Sequence, residues 1–209
     1  MPVEFVISAF VTLVIVIDPI GLVPTFVGIT QGLPPTSRRN VALRANVIAA
    51  AVLIGAALIG EWLLRELSIS LPAFRIAGGL LLFSIASEMV FGVRAQRQTH
   101  SAEQALEERV RNIAAFPLAI PLMAGPGAIT ATVLLAGRAS GDPLRLGLLI
   151  AVIVALFLIC LVIFLLAERV VGWLGITGNI VLSRLLGVML AALAVQFVID
   201  GVRSVMAGS

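Results

Sequence analysis

Ile17-Asp18-Pro19-Ile20-Gly21-Leu22-Val23-Pro24-Thr25 interrupts a run that is otherwise fit to lie in lipid. Phe5 to Ile17 lead into it, nearly all Val, Ile, Leu, Ala and Phe, and Phe26, Val27 and Ile29 follow. An acid, two prolines and a glycine break a helix, because proline removes a backbone donor and clashes with the preceding turn. The leading run of ~13 residues at 1.5 Å each reaches roughly 20 Å, short of a ~30 Å hydrocarbon core. The stretch therefore predicts one crossing made of two half-helices interrupted near mid-depth. Lipid offers no partners to freed backbone groups, so such breaks occur where protein buries them or where they line a wet cavity. In transporters they form substrate sites; a proline kink that binds nothing is the competing reading.

The composition is that of an integral membrane protein. Of the 209 residues, 60% are hydrophobic and 12% are charged, against about 25% charged in soluble domains. Mean hydropathy is +1.15. The net charge of +3 comes from 14 arginines and no lysine, spread over loops without the aromatic–basic interleaving that would suggest nucleic acid. Cys160 stands alone in an apolar helix and reads as a small packing residue. No cleaved signal peptide is expected at Met1-Pro2-Val3-Glu4, which lacks a positive charge.

Hydrophobic windows predict six crossings: Val3 to Ile29, Val41 to Leu64, Leu71 to Val93, Ile113 to Leu135, Leu144 to Ala167 and Ile180 to Val202. A polar linker, 94–112, lies between the third and fourth. It carries His100, expected to be solvated, and Ser101, suited to cap a short helix from Ala102 to Val110. The fourth window holds Pro117, Pro121 and then Gly125-Pro126-Gly127.

The chain also repeats itself. A shift of 109 places Phe74-Arg75-Ile76-Ala77-Gly78 on Ser183-Arg184-Leu185-Leu186-Gly187, and Gly92-Val93-Arg94 on Gly201-Val202-Arg203. A shift of 107 places Pro19 on Pro126, so the two interruptions correspond. Three crossings per half make the second half enter from the opposite side. The expected architecture is an all-α membrane protein of six transmembrane segments. It divides into inverted three-helix repeats, 1–93 and 113–209, the first segment of each broken near mid-membrane. Arginine bias, with Arg38, Arg39, Arg44, Arg94, Arg97, Arg109, Arg111 and Arg169 against Arg65, Arg138, Arg145 and Arg203, puts the linker in the cytoplasm and both termini outside.

Asp18-Pro19 and Gly125-Pro126 both read as helix starts, an N-cap followed by proline at the first helical position. A helix starting at mid-depth would turn free N–H groups and its positive dipole end into the break and receive a carboxylate. Pro24 offers a second restart point, which would leave Asp18 to Val23 unwound. Gly125-Pro126-Gly127 presents bare backbone suited to an anion, whereas Asp18 suits an ammonium, a proton or a cation. Together they could hold the two ends of an amino acid; a purely capping Asp18 is the alternative. Asp18, Pro19, Gly21, Pro24, Thr25, Gly125, Pro126, Gly127 and Thr130 are thus candidate substrate-binding residues. Thr25, Thr130 and Thr132 would donate to a ligand or bond back to their own helices. Arg75, Arg184 and Gln196 are candidates for gating or packing. Glu88 is expected to snorkel to the interface beside Arg94, and Gly78, Gly79 and Gly187 to let helices pack closely.

No GxxxxGK[ST], HExxH or GxSxG occurs, and one histidine and one cysteine leave little for metal or acid–base chemistry. We expect no cofactor, no metal and no enzymatic activity.

Four ordered stretches carry a family likeness: Asp18-Pro19-Ile20-Gly21-Leu22-Val23-Pro24, Ile69 to Leu80, Pro117 to Gly127, and Ser183-Arg184-Leu185-Leu186-Gly187 with Val195-Gln196-Phe197. The chain resembles the MarC family, also called the small neutral amino acid transporter family. The resemblance implies a bacterial or archaeal inner-membrane protein that carries amino acids such as glycine or alanine, as a secondary transporter or exporter. The family pattern also admits Asn at the position of Asp18, which weighs against a fixed charge there for ion coupling. A proton or sodium ion is the expected coupling partner. A non-transporting scaffold and a passive small-solute channel are the alternatives.

Overall fold

A computed structural model describes residues 2–94, 114–139 and 141–207, and every regular element among them is helical. In chain order these are α1 (Pro2–Ile17), α2 (Val23–Ile29), α3 (Pro35–Glu66), α4 (Leu71–Phe91), α5 (Ala114–Met123), α6 (Pro126–Arg138), α7 (Pro143–Leu165) and α8 (Ala167–Met206). The expected linker beyond Arg94, with His100 and the Ala102 to Val110 helix, lies outside the described residues.

Among the described residues four helices are long and apolar enough to span a bilayer: α3, α4, α7 and the Thr177–Met206 part of α8. A fifth span results if α5 and α6, bent by 57° at their junction, count as one. This is fewer than the six windows. The difference lies in the first window, where α1 stops at 16 residues and α2 has only 7. Neither alone reaches across ~30 Å at 1.5 Å per residue.

Local chemistry sets the ends. Ser70 caps α4, its hydroxyl accepting from the Ala73 amide at 3.3 Å, and Gly92 closes that helix in the left-handed region at φ +78°. Asp142 caps α7, accepting from the Leu144 and Arg145 amides at 3.0 and 3.3 Å. In α5 the residues before Pro117 and Pro121 are extended: Phe116 at φ −135°, ψ 128° and Ile120 at φ −128°, ψ 123°. The Pro ring excludes its predecessor from the α region. α3 begins at Pro35, six residues before the expected boundary (41 less 35), because a proline fits the first turn of a helix. α8 begins at Ala167 and bends at Gly175, where φ is +63°.

The long helices pair antiparallel. Along α4 and α8, Gly201 stands against Pro72, Arg75 and Ile76, Gly79 against Ala194 and Val198, and Gly187 against Ala86, Met89 and Val90. A Cβ at Gly79 would stand 2.7 Å from the Ala194 carbonyl oxygen, so the backbones meet at a distance only glycine permits. α3 lies along α7, the N-terminal end of one beside the C-terminal end of the other, where Arg38 pairs with Glu168. Phe26 of α2 stacks on Phe164 of α7 with ring centroids 4.7 Å apart. Leu58, Trp62, Phe83, Leu158, Val162, Leu185 and Val188 are exposed on the outside, the apolar surface that a lipid solvent requires.

Candidate functional site

The interruption at Asp18 is a locked turn. Asp18 ends α1, its amide donating to the Val14 carbonyl at 2.9 Å, and it takes φ +53°. That left-handed geometry is one that Asp and Asn tolerate better than most residues. Its Oδ1 accepts from the Gly21 amide at 3.0 Å and its Oδ2 from the Ser183 hydroxyl of α8 at 2.9 Å. A Cβ at Gly21 would fall 2.1 Å from Oδ2, so the turn closes only over a glycine. Asp18 is 2% exposed. The reading of Asp18-Pro19 as a helix start is therefore corrected. The carboxylate closes the end of one helix, and the next restarts at Val23 with Pro24 in its first turn. The physical reason is that a side chain spent on Gly21 and Ser183 has no remaining reach to the amides of α2.

The second interruption follows the expectation. Gly125 is the N-cap of α6, extended at φ −80°, ψ 174°, with Pro126 in the first turn, and Ile129 donates back to the Gly125 carbonyl at 3.0 Å. The amides of Gly127 and Ala128 belong to the first helical turn, whose donors have no intrahelical acceptor. They lie beside a cavity of about 250 Å³ lined by Val16, Leu81, Ser84, Ile85, Glu88, Arg94 and the segments Pro121 to Met123 and Gly125 to Ala128. A Cβ at Gly127 would stand 2.5 Å from Ile85 Cδ1 and 3.5 Å from Val16 Cγ1. The tip of α6 is thus pressed between α4 and the end of α1, and the two interruptions adjoin through Val16.

Arg94 ties this corner together. One Nη donates to the Val16 carbonyl at 2.9 Å and the other contacts Met89 Sδ at 3.0 Å. Val16 lies in the last turn of α1, where carbonyls lack helical partners and the dipole favours a cation. Asp18, just beyond, adds its attraction to the same guanidinium. Glu88 lines the cavity together with Arg94. One rim thus carries a guanidinium, a helix N-terminus and a carboxylate. Such a set can hold a small molecule bearing both charges.

The structure divides the candidate residues. Gly125, Pro126 and Gly127 line the cavity. Asp18, Pro19 and Gly21 form the adjoining turn, and Asp18 reaches the cavity only through Arg94. Pro24 is exposed on a separate apolar groove with Val27, Val170 and Gly175. Thr25 and Thr130 are buried, and the Thr130 methyl stands where Gly78 leaves room. Thr132 bonds back to the Ala128 carbonyl at 2.7 Å. Arg75 donates to the Ser204 hydroxyl at 3.4 Å, Gln196 to Asp200 at 2.7 Å, and Arg184 approaches Gly92 at the end of α4. The Arg75 and Arg184 contacts run between α4 and α8 or the turn after α4, and the Gln196 bond lies within α8. Neither Arg94 nor Ser183 was among the candidate site residues expected from the sequence. The signal for Arg94 was its place in the repeated Gly-Val-Arg.

A family profile described as "MarC family integral membrane protein" matches residues 3–206. The chain is 37% identical over 203 residues to the UPF0056 membrane protein MJ1677 of Methanocaldococcus jannaschii, covering 97% of this chain and 98% of that one. It is 35% identical over 202 residues to a UPF0056 membrane protein of Aquifex aeolicus, covering 96% and 93%. It is also 33% identical over 200 residues to the UPF0056 membrane protein YhcE of Escherichia coli, covering 95% and 92%. No solved structure matches.

Proposed function

The chain belongs to the MarC family of integral membrane proteins, and from that premise we propose that it is a secondary transporter or exporter of small neutral amino acids. The substrate sits in the cavity at the start of α6. One observation carries the reading: the free amide end of α6, Arg94 and Glu88 share one cavity of about 250 Å³. A carboxylate would meet the amides of Gly127 and Ala128 and the Arg94 guanidinium. An ammonium would face Glu88. The volume is below the ~300–1,000 Å³ of drug-sized sites. It suits glycine or alanine better than a large side chain.

The carrier reading includes six crossings in two inverted repeats, α1–α2 and α5–α6 each forming one broken crossing. The α4–α8 pairing supports it. Gly201 lies against Arg75, and Gly92 against Arg184. The 109-residue shift turns the first contact into the second, as a two-fold axis in the membrane plane requires. In this reading the protein is not an enzyme and lies in the inner membrane, both termini outside. A proton or sodium gradient drives it, and no cofactor takes part.

Purified protein in liposomes, given radiolabelled glycine or alanine, should show saturable uptake and counterflow. Glycinamide, which lacks the carboxylate, should not compete. Equal movement of amino acids and their amides, or non-saturable flux without counterflow, would overturn the proposal.

A further inference from the structure

We infer that two ion pairs at opposite ends of the α3–α7 pair form alternately, and that their exchange is the step by which the protein opens first to one side of the membrane and then to the other. The inference rests on the inverted-repeat carrier reading above. Arg38, at the start of α3, pairs with Glu168, just past the end of α7. The 107-residue shift that superposes the two interruptions carries Arg38 onto Arg145 and Glu61 onto Glu168. The symmetric counterpart of the Arg38–Glu168 pair is therefore Arg145–Glu61, at the other end of the same two helices.

The spacing makes the two pairs exclusive. Arg38 to Glu61 and Arg145 to Glu168 are each 23 residues, by subtraction (61 − 38, 168 − 145). Each spans ~35 Å at 1.5 Å per residue. Two antiparallel rods of that length that each tilt by ~10° in opposite senses about their middle move every end by ~3 Å and change the gap between facing ends by ~6 Å, enough to separate one pair while closing the other. The structure has one end closed. At the other end the equivalent side chains have turned to neighbours on their own segments: Arg145 Nε to Asp142 at 3.1 Å and Glu61 to Arg65 at 3.2 Å. Both local pairs keep the side chains partnered, and among the described residues no ion pair joins Arg145 to Glu61.

The residues are also of the right strength for a switch. Side-chain exposure is 24% for Arg38 and 75% for Glu168, 29% for Glu61 and 44% for Arg145. Pairs this exposed bias an equilibrium by up to about fivefold and do not lock it. A carrier needs both states populated, so weak matched pairs at the two ends suit the task and a deeply buried pair would not.

The test uses the full-length protein with Cys160→Ala and spin labels on exposed neighbours, leaving all four charged residues intact. Labels at Asn40→Cys and Val171→Cys report one end, and at Trp62→Cys and Leu144→Cys the other. Double electron–electron resonance should show that Glu168→Gln lengthens the 40–171 distance and shortens the 62–144 distance, changing the population ratio up to about fivefold. Arg145→Gln should shift both distances the opposite way. The double reversal Arg38→Glu with Glu168→Arg should restore the parent distribution, which a packing effect would not do. Distributions unchanged by Glu168→Gln, or both ends lengthening together, would overturn the exchange. The readout is separate from transport: reciprocal distances without amino acid uptake would sustain the exchange and reject the substrate reading. Uptake with unmoved distances would do the reverse.

Discussion

Replacing Asp18 separates what its shape does from what its charge does. Asp18→Ala removes two hydrogen bonds to a buried carboxylate, from the Gly21 amide and the Ser183 hydroxyl, each worth ~1.5–3 kcal/mol. It also places a plain Cβ residue at φ +53°, adding ~1 kcal/mol. Arg94 also loses the attraction of a nearby acid. Because these effects are not additive, the expected loss is about 4–6 kcal/mol. Asp18→Asn keeps an oxygen for the Gly21 amide, can donate its own N–H to Ser183 and tolerates the left-handed backbone. Its loss should be about 2 kcal/mol, mostly the missing charge.

The gap of ~3 kcal/mol corresponds to ~6–12 °C in Tm for a chain of this size. Thermal unfolding in detergent, followed by tryptophan fluorescence, should rank the parent above Asp18→Asn and Asp18→Asn well above Asp18→Ala. Asp18→Gly should fall a few degrees above the alanine variant, because glycine relieves only the backbone strain. An alanine variant as stable as the parent would refute the turn-locking argument. So would an asparagine variant as unstable as alanine, since charge alone would then hold the corner. Asp18→Asn should also retain uptake, because Asp18 does not line the cavity.

Three further outcomes follow from the same geometry. Gly127→Val should abolish uptake and lower Tm by several degrees, because a Cβ there already meets Ile85 at 2.5 Å and overpacking costs ~1–3 kcal/mol; liposome uptake and thermal shift check both. Arg94→Gln should cut uptake at least about tenfold, and Arg94→Lys should recover only part of it, because an ammonium lacks the planar fork that reaches the Val16 carbonyl and a ligand carboxylate together; competition by unlabelled glycine reads this. Gly79→Leu should separate α4 from α8 and prevent recovery of monodisperse protein, because its side chain would enter the Ala194 backbone. Gly28→Ala, with nothing within 4 Å, is the matched control, and size-exclusion chromatography compares the two.

Hydropathy alone determined that this is a helical membrane protein, and proline and glycine spacing alone located both interruptions. Those signals are local: a side chain's cost in lipid and a proline's effect on its predecessor depend on few neighbours, so they survive in one dimension. The helix start at Gly125-Pro126 was legible for the same reason. Asp18-Pro19 looked identical and behaved differently, because Ser183, 165 residues away, decides what the carboxylate does. Arg94 was invisible as a site residue because its value comes from the orphan carbonyl of Val16, 78 residues earlier. Glu88, Arg94 and Gly125 share one cavity because three separate segments converge there. Only the packed chain sets which helix end faces which charge, and electrostatics in a low-dielectric interior makes those meetings count.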